Sequence, residues 1–147
     1  MDYRTIGQTG LKVSALSFGA SSLGGVFHSI SESEAIRAAH VAVEGGMNFI
    51  DVSPYYGHYK AETVLGKVLR EIPRDRYYLS TKVGRYGKDG VNTWDYSARR
   101  ATESVYESME RLGVDHIDLI NVHDIEFADL HQVAEETLPA LVSAPSL

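Results

Sequence analysis

The order of apolar periods along the chain predicts an α/β protein: about four strand–helix units, the N-terminal half of a (β/α)8 TIM barrel, preceded by a short β-hairpin. Three observations carry this. Short apolar runs alternate with 3.6-period amphipathic stretches, which is the pattern of parallel strands joined by right-handed crossovers. Asp51, Lys82 and His123 close successive runs, each about one strand–helix unit plus a loop apart. No G-x-G-x-x-G and no G-x-x-x-x-G-K-[ST] occurs, which argues against the alternative, an open doubly wound sheet.

In chain order, Tyr3 to Val13 forms two extended segments about Gly7-Gln8-Thr9-Gly10, a hairpin turned on glycine. Ala15 to Gly19 is the first core strand, opening into a small-residue loop, Ala20 to Gly25. Ser31-Glu32-Ser33-Glu34 is a capping box, and the helix it starts buries Ile36, Ala39 and Val43 before stopping at Gly45-Gly46. The strand Asn48 to Asp51 follows, broken by Ser53-Pro54. A helix from Lys60 to Arg70 carries the stripe Val64, Leu65, Val68 and Leu69, and the next strand is Tyr77 to Lys82. Gly84 to Asp95 reads as a polar, glycine-rich functional loop. A helix from about Ser97 carries Ala98, Ala101, Val105, Met109 and Leu112 at 3.6-residue spacing and closes at Gly113. The strand Ile117 to Val122 ends at His123, and a last amphipathic segment runs from Leu130 until Pro139 interrupts it.

Composition narrows the function. Of the 147 residues 44% are hydrophobic and 23% charged, enough for one packed domain. A formal charge of −6 argues against nucleic acid, whose phosphates require a basic surface. Without cysteine the chain has no disulfide, thiolate nucleophile or Cys-ligated metal. No apolar run nears the roughly 20 residues that cross a bilayer, and Met1 to Arg4 does not begin a secretory signal, so a cytoplasmic protein without membrane partners is expected.

Parallel pairing brings Asp51, Tyr56, Lys82 and His123 to one rim of the sheet. Tyr56 is then a proton donor or acceptor whose pKa a neighbouring Lys82 would lower. Asp51 would compensate the buried lysine, and His123 would hydrogen-bond the reacting oxygen. Such a set suits proton transfer at a carbonyl or alcohol while a hydride moves to or from a nicotinamide, NAD or NADP. Trp94, Tyr55, His58 and Tyr59 on the same rim are candidates to stack on a sugar. Bland readings compete with each of these: a helix cap for Asp51, a solvated end for Lys82, a loop pair for His123 with Asp124. Arg70, Arg74 and Arg76 read as a solvated helix end, and His28, His40, His116 and His131 have no metal-binding spacing. A metal-dependent hydrolase using Asp51, His58 and His123 is a further alternative.

The strings Asp51-Val52-Ser53-Pro54-Tyr55-Tyr56-Gly57, Glu62, Leu65-Gly66, Ser80-Thr81-Lys82 and Val122-His123-Asp124 resemble, in order and spacing, the signature of the aldo-keto reductases. The resemblance extends to about Leu141. It implies Tyr56 as general acid/base, with Asp51, Lys82 and His123 completing a catalytic tetrad, and Asp51 also meeting the cofactor. Tyr55, Trp94 and His123 would face a small sugar or carbonyl substrate. Asn121 to Phe127 is most similar to the family's plant sugar 1-dehydrogenases, which implies oxidation of an aldose to its lactone. Family members continue into later strands that hold most of the nicotinamide dinucleotide, so residues 1–147 are expected to be a truncated NADP- or NAD-dependent oxidoreductase domain. Losing even roughly 400 Å² of apolar burial costs about 10 kcal/mol. A marginal monomer that self-associates through open sheet edges is therefore expected, and an inactive interaction module is the competing function.

Overall fold

The structure is a computed structural model and describes residues 1–88 and 91–144. Asp89-Gly90, inside the expected functional loop, and Pro145 to Leu147, at the end of the expected domain, lie outside the described residues. The chain opens with an antiparallel hairpin, β1 (Tyr3–Thr5) and β2 (Lys12–Ser14), in the register Tyr3↔Ser14. Four strands then form a parallel sheet: β3 (Phe18–Gly19), β4 (Phe49–Asp51), β5 (Tyr78–Val83) and β8 (Leu119–Val122) in the order β3-β4-β5-β8. Three helices cross between them, α1 (Glu32–Glu44), α2 (Lys60–Leu69) and α3 (Ala98–Leu112). Sequential parallel order with a helix in each crossover is the architecture of half a (β/α)8 barrel. Among the described residues, its outer strands, β3 and β8, have a sheet neighbour on one side only.

Local chemistry accounts for the helix ends. Ser31 accepts from the Glu34 backbone while the Glu34 carboxylate takes the Ser31 N–H, the reciprocal box expected from the sequence. Ser97 caps α3 through the Arg100 N–H, and Gly113 closes that helix in the left-handed region at φ 70°.

Strand alternation divides the sheet into two faces. Ile50, Leu79, Thr81 and Val83 turn toward the helices and are buried. Ile50, Leu65, Leu79 and Leu112 share one apolar cluster; Val83, Ala101, Val105, Ile117 and Leu141 make a second. Asp51, Ser80, Lys82 and Asn121 take the opposite parity and point into the concave side.

Four expectations change. The first core strand shrinks to Phe18–Gly19, and Ala20–Gly24 is a 3-10 helix, not a loop. Gly84 to Asp95 contains a hairpin, β6 (Arg85–Lys88) paired with β7 (Val91–Trp94) in the register Arg85↔Trp94. Arg74 is no solvated helix end: its guanidinium binds the Asp118 carboxylate at 2.5 Å, the Tyr77 carbonyl at 2.8 Å and the His116 carbonyl at 3.2 Å, tying β5 to the approach to β8. Pro139 does not stop the final segment. α4 (Leu130–Gln132) widens into a π-helical stretch, Val133–Thr137, and continues as α5 (Leu138–Val142), with Pro139 placed directly after the widened turn.

Gly66 shows how closely α2 meets α3: a Cβ there would lie 2.2 Å from the Arg111 carbonyl oxygen and 3.0 Å from the Leu112 Cα. Alanine would gain about 0.5–1 kcal/mol of helix propensity, but a backbone clash costs about 1–3 kcal/mol. The clash wins, so Gly66→Ala is expected to lower the urea midpoint.

Candidate active site

The concave face gathers three strand ends. In register, Asp51 lies opposite Ser80, so Lys82, two residues further along β5, is its diagonal neighbour on the same face. The ammonium binds both Asp51 oxygens at 2.6 and 2.7 Å and the Val52 carbonyl at 3.0 Å. With Lys82 only 12% exposed, this ion pair compensates a charge that would otherwise be stranded.

Past Asp51 the chain turns on Ser53-Pro54, the Tyr56 N–H donating to the Ser53 carbonyl at 3.1 Å. Gly57, at φ 62°, then passes so close to Gly24 that a Cβ would meet the Gly24 carbonyl oxygen at 2.3 Å. That contact holds the Tyr56 ring over the sheet, its centroid 5.3 Å from the Lys82 Nζ. His123 prolongs the β5–β8 ladder through its N–H to the Val83 carbonyl at 2.8 Å. Its imidazole stands edge-on to Tyr56, ring centroids 5.9 Å apart at 87°. Asp51, Tyr56, Lys82 and His123 thus share one site at the carboxyl ends of the strands.

The electrostatics revise one expectation. The Tyr56 phenol titrates above its ordinary value, raised by burial and then by the Asp51 and Asp124 carboxylates. The net shift is therefore upward, opposite to the lowering expected from Lys82. His123 moves down, chiefly through burial; Lys82 and Arg85 push the same way, against the pull of Asp124 and Asp51.

Around this centre the β6–β7 hairpin supplies groups that the sequence reading did not single out. Arg85 pairs with Asp124, stacks 3.7 Å from the Tyr55 ring centroid and lies 5.5 Å from that of Trp94. Trp94 and Phe127, both exposed, pack at 5.6 Å and form an aromatic ledge at the mouth. The Tyr96 hydroxyl donates to the backbone carbonyls of His123 and Asp124, at 2.8 and 2.9 Å, across a bend where Asp124 adopts φ 50°. Arg85, Tyr96 and Phe127 had no signal beyond their nearness to strand ends. Tyr55 and Trp94 are at the site; Tyr59 is not, its ring lying against the Arg111 guanidinium at 4.7 Å beside α2. His58 packs on the Gly87 backbone, its ring centroid 6.4 Å from that of Tyr55.

On the helix side of β5, Glu62 is fully buried between Thr81, at 2.7 Å, and Arg111, at 2.7 Å. It locks α2 and α3 onto the strand that presents Lys82. Among the described residues no helix is long and apolar enough to cross a membrane, and no three His, Asp or Glu side chains are grouped to hold a metal ion.

The family model for the Aldo/keto reductase family matches residues 15–145. The chain is 48% identical to L-galactose dehydrogenase of Arabidopsis thaliana over 143 residues, 96% of this chain and 44% of that protein. It is 34% identical to D-threo-aldose 1-dehydrogenase of a Pseudomonas species, over 90% of this chain and 46% of that one. Among solved structures, an aldo-keto reductase from Bacillus halodurans in its holo form superposes with a TM-score of 0.83 at 33% identity, covering 95% of this chain and 45% of its own. The chain therefore spans a little under half the length of the curated relatives it matches.

Removing the Glu62 carboxylate leaves Arg111 and Thr81 without their buried partner, so Glu62→Ala is expected to cost about 3–5 kcal/mol in denaturant unfolding. A second expectation follows from titration. His123 binds its proton less readily folded than unfolded, so stability falls as pH drops below about 6.5, the unfolded value. Tyr56, Tyr77, Tyr86 and Tyr96 all hold their protons more tightly when folded, so stability falls again above about pH 10. A melting-temperature profile across pH checks both limbs.

Proposed function

The chain belongs to the aldo/keto reductase family, and on that premise we propose that it carries the catalytic residues of a nicotinamide-dependent aldose 1-dehydrogenase. The substrate it suits best is L-galactose, oxidised at its anomeric carbon to L-galactono-1,4-lactone, a step toward ascorbate. The single observation that carries the reading is the Lys82–Asp51 ion pair set beneath the Tyr56 ring, with His123 edge-on to the same ring. The 48% identity to L-galactose dehydrogenase supports the substrate. D-threo-aldose 1-dehydrogenase, among the matched relatives, supports the wider class.

Roles follow from the placement. Tyr56 Oη takes the proton of the anomeric hydroxyl during oxidation and returns it in the reverse direction. His123 donates a hydrogen bond to the same substrate oxygen and orients it. Lys82, fixed by Asp51, puts a positive charge beside the phenol, where negative charge develops as Tyr56 ionises. NAD or NADP, when bound, supplies the hydride acceptor. Asp51 suits a ribose hydroxyl of that dinucleotide, because its carboxylate is 30% exposed and each oxygen has lone pairs beyond those facing Lys82. Tyr55 and the Trp94–Phe127 ledge offer apolar ring faces to a sugar ring, with Arg85 beside them for its hydroxyls.

The test is formation of reduced nicotinamide, followed by absorbance, with L-galactose and NAD or NADP. Tyr56→Phe is expected to slow it by roughly 10²–10⁴-fold, the usual worth of a general acid/base. Turnover unaffected by Tyr56→Phe, or none in the unaltered protein, overturns the reading. Burial and the two carboxylates hold the Tyr56 proton, so the deprotonated form that accepts a proton grows with pH. The oxidation rate is therefore expected to rise from neutral into alkaline solution, and the reverse reaction to favour lower pH.

A further inference from the structure

Ser53 lies at the turn between Asp51 and Tyr56 and is completely buried. Its hydroxyl oxygen accepts the Tyr55 backbone N–H at 3.2 Å and sits 3.2 Å from His123 Nδ1. A buried hydroxyl must also place its own proton, since an unmade donor costs its full desolvation. Among the described residues the acceptor in reach is Nδ1. A neutral imidazole that accepts at Nδ1 carries its hydrogen on Nε2. We propose that Ser53 is a positioning residue that fixes neutral His123 as the Nε2–H tautomer, so that the ring presents a donor to the reacting oxygen.

The surroundings of the second nitrogen agree. Asp124 Oδ1 is 3.5 Å from Nε2, too long for a strong hydrogen bond, and Arg85 holds the same carboxylate from the other side. Among the described residues the Nε2 proton is therefore not taken up in a strong hydrogen bond. The ionisable groups facing the ring are Lys82 from β5, Asp51 from β4, Arg85 from β6, Asp124 from the bend, and the phenols of Tyr55 and Tyr56; Tyr96 reaches only the backbone carbonyl. Burial and the two cations outweigh the two carboxylates and keep the ring neutral near pH 7, the form in which a choice of tautomer exists.

The inference rests on the proposed role of His123 as a donor to substrate, but its test needs no turnover. Two-bond proton–nitrogen correlation spectra of the 15N-labelled protein at pH 8 distinguish the tautomers, with His123 assigned by the signals lost in His123→Gln. The Nε2–H form is expected in the unaltered protein. Ser53→Ala is expected to move the tautomer ratio toward Nδ1–H by roughly tenfold, the net worth of one hydrogen bond, and Ser53→Thr to restore it. An Nδ1–H form or an even mixture in the unaltered protein, or a ratio indifferent to Ser53→Ala, overturns the proposal. Should Ser53→Ala fail to fold, an Nδ1–H ring or an even mixture in the unaltered protein still overturns the proposal. An Nε2–H ring in a protein that does not oxidise L-galactose would sink the redox reading and leave Ser53's role intact.

Discussion

The ion pair between Lys82 and Asp51 is the constraint on which the rest of the site depends. An ammonium this deeply placed is tolerable only beside a carboxylate, and a carboxylate on the concave face of a sheet only beside a cation. The two are neighbours because β4 and β5 are parallel and in register at Asp51↔Ser80. A slip of one residue along β5 would send Lys82 into the helix layer and bring Thr81 or Val83 to the site. Burial of Leu79 and Val83 against the helices opposes that slip, as does Thr81's hydrogen bond to buried Glu62. The apolar core thereby specifies which face carries the charge.

Around the pair, strand and helix geometry gives way to irregular backbone. Asp124, His58 and Tyr59 adopt positive φ, and Gly57 meets Gly24 at a distance no side chain allows. Such conformations cost about 1–3 kcal/mol each and persist only where neighbours over-determine them. Here the Tyr96 hydroxyl holds the His123–Asp124 bend and Arg85 holds the Asp124 side chain. Conformational cost is concentrated where two aromatic rings and an imidazole must be held at fixed angles.

Much of this was legible in the sequence. Period and capping chemistry placed α1, α2 and α3, and strand-end position placed Asp51, Lys82 and His123 on one rim. The hairpin at Arg85–Trp94 was missed although Asp89-Gly90, a strong two-residue turn signal, stands between its strands; polarity and two further glycines masked the alternation. The direction of the Tyr56 titration was not readable either. It depends on how much water the fold removes and on which carboxylates face the phenol, and those are tertiary facts. Arg74 looked like one of three solvated arginines because its partner, Asp118, lies on the far side of α3 in sequence.

Every group named at the centre comes from β4, β5, β8 or the turns that leave them. The relative placement of Asp51, Lys82, Tyr56 and His123 is accordingly set by two strand pairings and one turn, all within 73 positions of chain, from Asp51 to His123. Binding a dinucleotide and a substrate would have a different requirement, a long cleft with contacts spread along the ligand. The two demands are separable. The geometry of the four groups is local to three adjacent strands, whereas affinity for any ligand depends on whatever else surrounds the cleft. A set of groups organised in this way keeps its mutual angles while its surroundings change, which is how one constellation can be combined with different binding clefts on the same scaffold.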